Sequence, residues 1–219
     1  MHTENPLRHA LMPPHTWGTH TQGQQEPKSK SRRASISIAS LNMNGFTAPT
    51  RSLNGIDKWS TVSRTMNKHK ITILAIQETH LDDDCLNEVL SIFGHKLTII
   101  TSPDPASPHA SAGVAFVINK KFIKPNEITF HELHKGRALA IKMKWHKPEQ
   151  EELALLNIYA LNNRCEHGQF WQNIDAKRHI HRLRCPDLML GDFNLTEDNI
   201  DRSPAHPDDP HVITALQEI

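Results

Sequence analysis

Ile71-Thr72-Ile73-Leu74-Ala75-Ile76-Gln77-Glu78-Thr79-His80-Leu81 opens with a nearly continuous apolar run and closes on an amide, an acid and a histidine. Six residues without polar alternation read as a strand over 71–76 that is covered on both faces and lies at the centre of a sheet. Such a strand delivers Glu78 to its end. Asp187-Leu188-Met189-Leu190 has the same character, predicting a second central strand over 187–191 that delivers Asp192. A different pattern governs Arg137 to Trp145, where Leu139, Ile141, Met143 and Trp145 alternate with Lys142 and Lys144. That is a strand with one wet face.

Further strands are predicted over 35–41, 97–101, 112–118 and 153–159, between turn signals. Helical spacing interleaves with them. Ile56, Trp59, Val62 and Met66 recur at three- and four-residue steps over 57–69, and helices are also expected over 84–93, 166–183 and 212–219. The segments 112–118 and 137–145 read as hairpin-like neighbours with no helix between them. This mixture points to an α/β sandwich with mixed sheets and away from a doubly wound nucleotide fold, for which no glycine-rich phosphate loop is present.

Composition limits the rest. The chain has 219 residues, 37% apolar and 22% charged, enough for one substantial domain with part of the chain outside the core. Lys and Arg (25) nearly balance Asp and Glu (24), which excludes a strongly basic nucleic-acid coat and leaves only local patches. Three widely spaced cysteines support neither a disulfide framework nor a metal knuckle. Neither a secretory signal nor a membrane-length apolar run is present, so an intracellular, non-secreted protein without a membrane partner is expected. Residues 1–33 contain four prolines and no Ile, Val or Phe, which predicts a disordered leader ahead of a domain over 34–219. The leader ends in Lys28-Ser29-Lys30-Ser31-Arg32-Arg33, a solvated basic run or a nuclear import signal.

Polar residues collect where strands stop: Asn42, Glu78, Asn157, Tyr159, Asp192 and Asn194. Each is also explained as turn chemistry. Together, Ser40-Leu41-Asn42-Met43-Asn44-Gly45, Ile76-Gln77-Glu78-Thr79-His80-Leu81, Leu156-Asn157-Ile158-Tyr159-Ala160 and Leu190-Gly191-Asp192-Phe193-Asn194 resemble, in order, the blocks of the endonuclease/exonuclease/phosphatase (DNase I-like) superfamily. These blocks, with Asp201-Arg202-Ser203, are most similar to the endonuclease domain of non-LTR retrotransposons. The resemblance implies a four-layer α/β sandwich, two mixed β-sheets flanked by helices, and Mg²⁺-dependent phosphodiester hydrolysis that nicks DNA. Mn²⁺ would serve as a substitute.

In that reading Glu78 is the carboxylate ligand of the metal and Asn42 a neutral ligand. Tyr159 gives a hydroxyl to the scissile phosphate, Asn194 an amide donor, and Asp192 orients or deprotonates the attacking water. Family members continue with a further acidic residue and a terminal Ser-Asp-His. After Asn194 this chain has 25 residues, without that sequence; His206, His211 and Asp208 do not supply it. A domain incomplete at its C-terminus, with impaired catalysis, is therefore expected. Two other readings stay open: a non-catalytic remnant that binds nucleic acid weakly, and a phosphatase or phospholipase of the same superfamily.

Other clusters have plainer explanations. Lys177, Arg178 and Arg182 could face a nucleic-acid backbone or simply form a solvated helix face. His131-Glu132-Leu133-His134 lacks zinc spacing and reads as surface. Asp82-Asp83-Asp84 suits a helix cap, and Phe170 and Trp171 suit a helix anchored to the core. Asn126, Glu127 and Arg137 have no assigned role.

Overall fold

The computed structural model describes residues 35–45, 54–147, 150–196, 203 and 208–219. The expected leader, its basic run, Asp201-Arg202 and His206 lie outside them, as does the side chain of Trp145.

The apolar run that begins at Ile71 forms β2 (Ile73–Gln77), buried throughout. It pairs in parallel with β1 (Ile38–Asn42) and antiparallel with β4 (Val114–Asn119), which in turn pairs with β3 (Leu97–Ser102), giving the order β1-β2-β4-β3. Period-two alternation sorts its side chains into two cores. Leu74 and Ile76, with Val117 of β4, meet Trp59, Val62 and Met66 of α1 (Asn54–Lys68) and Val89 and Phe93 of α2 (Asp83–Phe93). Ile73 and Ala75 turn the other way, with Phe116 and Ile118, onto a second sheet. As expected, Asp82 caps α2, its carboxylate accepting from Cys85 N at 2.8 Å.

The second sheet runs β5 (Ile128–His134), β6 (Ala138–Lys147), β7 (Gln150–Tyr159) and β8 (Leu188–Asp192), antiparallel except for the parallel β7/β8 pair. Leu139, Ile141, Met143 and Leu155 face the first sheet. Ala138, Ala140, Leu156 and Ile158 face Phe170, Trp171 and Ile174 of α3 (His167–Ile180) and Val212 and Leu216 of α4 (Pro210–Gln217). Phe170 and Trp171 are therefore core anchors, their rings 4.8 Å apart. The result is the four-layer sandwich, helices outside and two mixed sheets inside. Among the described residues no helix is long and apolar enough to cross a membrane.

Two expectations are corrected. Segments 112–118 and 137–145 are not hairpin partners: they lie in different sheets, because 128–134 is itself a strand and takes the hairpin position beside β6. A β-bulge between Glu132 and His134 breaks the alternation of β5, which hid the strand. The run at 187–191 is not central either. β8 closes the sheet at an edge among the described strands, and its apolar residues report coverage of both faces: Met189 packs on the helix side and Leu190 between the sheets.

Candidate active site

In each sheet the parallel pair places both carboxyl ends together, β1 with β2 and β7 with β8. These four ends meet across the sandwich, the kind of rim where strand ends hold ligand-binding side chains rigidly.

The floor beneath them is a buried amide pair. Gln77 Nε2 donates to Asn157 Oδ1 at 2.7 Å, and Asn157 Nδ2 donates to the carbonyls of Ile76 (3.0 Å) and Ala115 (2.9 Å). Asn157 thus stitches the second sheet to two strands of the first. Neither amide had a role assigned from sequence. Their signal was there: a polar residue closing or interrupting an apolar run must be satisfied internally.

Above the floor, Glu78 leaves β2 with a left-handed backbone (φ 51°), as do Asn44 (51°), His80 (46°) and Asn194 (49°) nearby. Such conformations in non-glycine residues cost about 1–3 kcal/mol each and persist where the surroundings impose them. The turn brings Glu78 towards Asn42, whose Nδ2 donates to Glu78 Oε1 at 2.8 Å and to Asp192 Oδ2 at 3.3 Å. One nitrogen therefore joins carboxylates from both sheets. Tyr159 stands beside them. Burial first, then the Glu78 carboxylate, raises its phenol above the usual range, while Arg137 opposes the shift. Asp192 follows Gly191, where a Cβ would lie 1.8 Å from the Ile158 carbonyl oxygen, so only glycine lets β8 approach β7 at this point. An open cleft of ≈ 470 Å³ borders the cluster, lined by Asn42, Asp192 and Thr196 among others.

No family model matches the chain. Solved structures do: an AP endonuclease from Archaeoglobus fulgidus (14% identity over 84% of this chain and 69% of that one, TM-score 0.56), and the AP endonuclease LMAP from Leishmania major (16%, 83% and 64%, TM-score 0.59). An endonuclease/exonuclease/phosphatase family protein from Bacteroides thetaiotaomicron aligns as well (13%, 84% and 68%, TM-score 0.52). The chain has the endonuclease/exonuclease/phosphatase fold. It spans about two thirds of the length of these matched structures.

Within this fold the five strand-end candidates Asn42, Glu78, Tyr159, Asp192 and Asn194 come together, and the amides of Asn42 and Asn194 are both engaged. Asn42 Oδ1 accepts from Asn44 N at 2.9 Å, and the amide nitrogen faces the carboxylates. Asn194 spends both amide hydrogens on the Ala160 carbonyl (3.0 Å) and Asn162 Oδ1 (2.9 Å), while its backbone N–H donates to Asp192 Oδ1 at 3.2 Å. It secures the loop that carries Asp192.

The basic candidates stand apart. α3 starts near the strand ends, where His167 Nε2 contacts the Leu161 carbonyl, and runs back towards the start of β8. This carries Lys177 and Arg182, both exposed, towards the opposite end of the sheet. Arg178 is only 6% exposed; it bonds Asp175 at 2.6 Å and the Leu183 carbonyl at 3.3 Å, so it serves the helix end instead of a nucleic-acid surface. Among the described residues no three His, Cys, Asp or Glu side chains gather as a metal site. The donor set for a cation at the rim is Glu78 and Asp192. Two carboxylates from hard-oxygen side chains fit Mg²⁺, which commonly keeps its other ligands as water and substrate phosphate.

Proposed function

We propose that this chain carries a metal-dependent phosphodiesterase site acting on DNA, nicking one strand in the manner of retrotransposon endonucleases. The observation that carries the reading is the amide of Asn42 bonded at once to Glu78 and Asp192, which concentrates two negative charges from opposite sheets at one point of the rim. The likeness in fold to proteins named AP endonucleases supports a phosphodiester substrate, and the motif Gln77-Glu78-Thr79-His80-Leu81 supports the retrotransposon type.

Mg²⁺, or Mn²⁺ in its place, would supply charge neutralisation at the phosphate oxygens when held by Glu78 and Asp192. Asp192 orients the attacking water, its Oδ1 held by the backbone N–H of Asn194 while Oδ2 reaches the site. Tyr159, kept protonated by burial and Glu78, donates to a non-bridging oxygen as negative charge builds there. Asn42 keeps the two carboxylates together when no cation separates them.

Thermal unfolding of the wild type and Glu78→Gln with and without Mg²⁺ or Mn²⁺ tests the site, because a ligand that binds only the native state raises its melting point. Stabilisation of the wild type alone is expected, with affinity on the order of millimolar for so few charges. An equal response in both proteins sinks the assignment. Nicking of supercoiled plasmid, compared with a Glu78→Gln, Asp192→Asn control, then tests the reaction. Cleavage that survives in the control overturns the roles of Glu78 and Asp192.

A further inference from the structure

We propose that Arg137 is the positioning residue that holds Tyr159 in register with Glu78 across the two sheets. The inference rests on the proposed phosphodiesterase site and names how its two halves are aligned.

Glu78 follows a strand of the first sheet and Tyr159 ends a strand of the second, so a small slide of one sheet over the other would separate them. The backbone prevents this through one continuous path. Thr79 N donates to the Gly113 carbonyl at 3.1 Å and His80 N to the Ala112 carbonyl at 3.3 Å, which ties the Glu78 loop to the start of β4. Gly113 N then donates to the Gly136 carbonyl at 3.0 Å, crossing to the turn between β5 and β6. That turn is also held by Gly136 N donating to the buried Ser102 Oγ at 2.9 Å. Both glycines have positive φ (86° and 69°), and neither has room for a side chain. A Cβ would stand 2.5 Å from Thr79 Oγ1 at Gly113 and 2.8 Å from Asp104 Cα at Gly136.

Arg137 is the next residue, and it holds Tyr159 at three points. Its carbonyl accepts from Tyr159 N at 2.7 Å. Its Nη1 donates to the Tyr159 carbonyl (3.4 Å) and the Ala160 carbonyl (3.2 Å). Its guanidinium carbon lies 5.1 Å from the centroid of the Tyr159 ring. A planar guanidinium can hydrogen-bond along the strand end and cover the ring in one placement, which the point charge of lysine cannot reproduce.

Tyr159 is the only tyrosine of the chain, so full-length protein labelled with fluorotyrosine gives one fluorine resonance, from the residue in question. Arg137→Met should move and broaden that resonance with far-UV circular dichroism unchanged, and Arg137→Lys should fall between it and the wild type. Arg184→Met removes an arginine bonded to Asp187 and the Glu152 carbonyl, remote from Tyr159, and should leave the resonance in place. A folded Arg137→Met protein with an unmoved resonance overturns the proposal. Where that variant fails to fold, Arg137→Lys decides, a wild-type resonance again counting against the brace. Addition of Mn²⁺ separates the two readings, since absence of paramagnetic broadening in the wild type refutes the metal site and leaves the metal-free spectra to judge Arg137.

Discussion

Tyr159 titrates in isolation because no other tyrosine shares its absorbance. Its phenol is raised by burial and by Glu78, so the tyrosinate transition is expected above the ordinary value of about 10, and Glu78→Gln should lower it. The sign for stability follows: a raised folded pKa gives a contribution fully present below the unfolded value and lost as pH rises through the folded one. His80 and His131 behave oppositely, both lowered chiefly by burial. Their neutral forms favour the native state, so stability should fall as pH drops below about 6.5, the ordinary imidazole value. Replacing both with asparagine should flatten that slope in thermal melts; an unchanged slope would place the effect elsewhere. At Gly191 the constraint is steric. Alanine there, at φ 139° and against the Ile158 carbonyl, is expected to cost about 3 kcal/mol or more in urea unfolding.

The elements explain why one asparagine matters more than its neighbours. β2 and β7 touch through Gln77 and Asn157, and Asn157→Leu would remove three buried cross-sheet hydrogen bonds at once, to Gln77 Nε2 and to the Ile76 and Ala115 carbonyls, leaving Gln77 only its bonds to Ser40 Oγ. Each lost hydrogen bond costs about 0.5–1.5 kcal/mol, so a lower urea midpoint with an unaltered slope is expected. Lost Mg²⁺ response should accompany it, because Glu78 follows Gln77 directly. The strand that bears Gln77 was legible from its nearly unbroken apolar run, and the one that bears Asn157 as a run of strand length between turn signals. β5 was not, since Ile128 and Leu133 fall out of phase across the bulge and leave His131 and His134 looking like surface. α3 was legible as a helix, but which face of it Arg178 occupied depended on the sheet beneath.

At the scale of the molecule, β1 and β8 are both edge strands among the described residues and face each other across the sandwich. Leu41 (43% exposed) lies on β1 beside the site and Leu188 (42%) at the far end of β8, so both edges present apolar side chains. Edges of this kind recruit other strands. Concentration-dependent self-association of residues 34–219 is expected in sedimentation, relieved by Leu41→Lys and Leu188→Lys together. A protein that stays monomeric at high concentration would show that these edges are already protected.

Hydrophobic periodicity is a local property, so the sequence alone determined the alternation of strands and helices and the points at which Asn42, Glu78, Tyr159 and Asp192 leave them. The ordered blocks around those residues pointed to the fold that the solved structures share. Pairing is a global property: which strands become neighbours depends on contacts between residues far apart in the chain. Tertiary structure therefore decided that β4 and β6 lie in different sheets, that β8 sits at an edge, and that Arg178 is buried. It also decided roles. Asn42, Asn194 and Arg137 each have several donors, and only the partners brought within about 3 Å by folding choose among them.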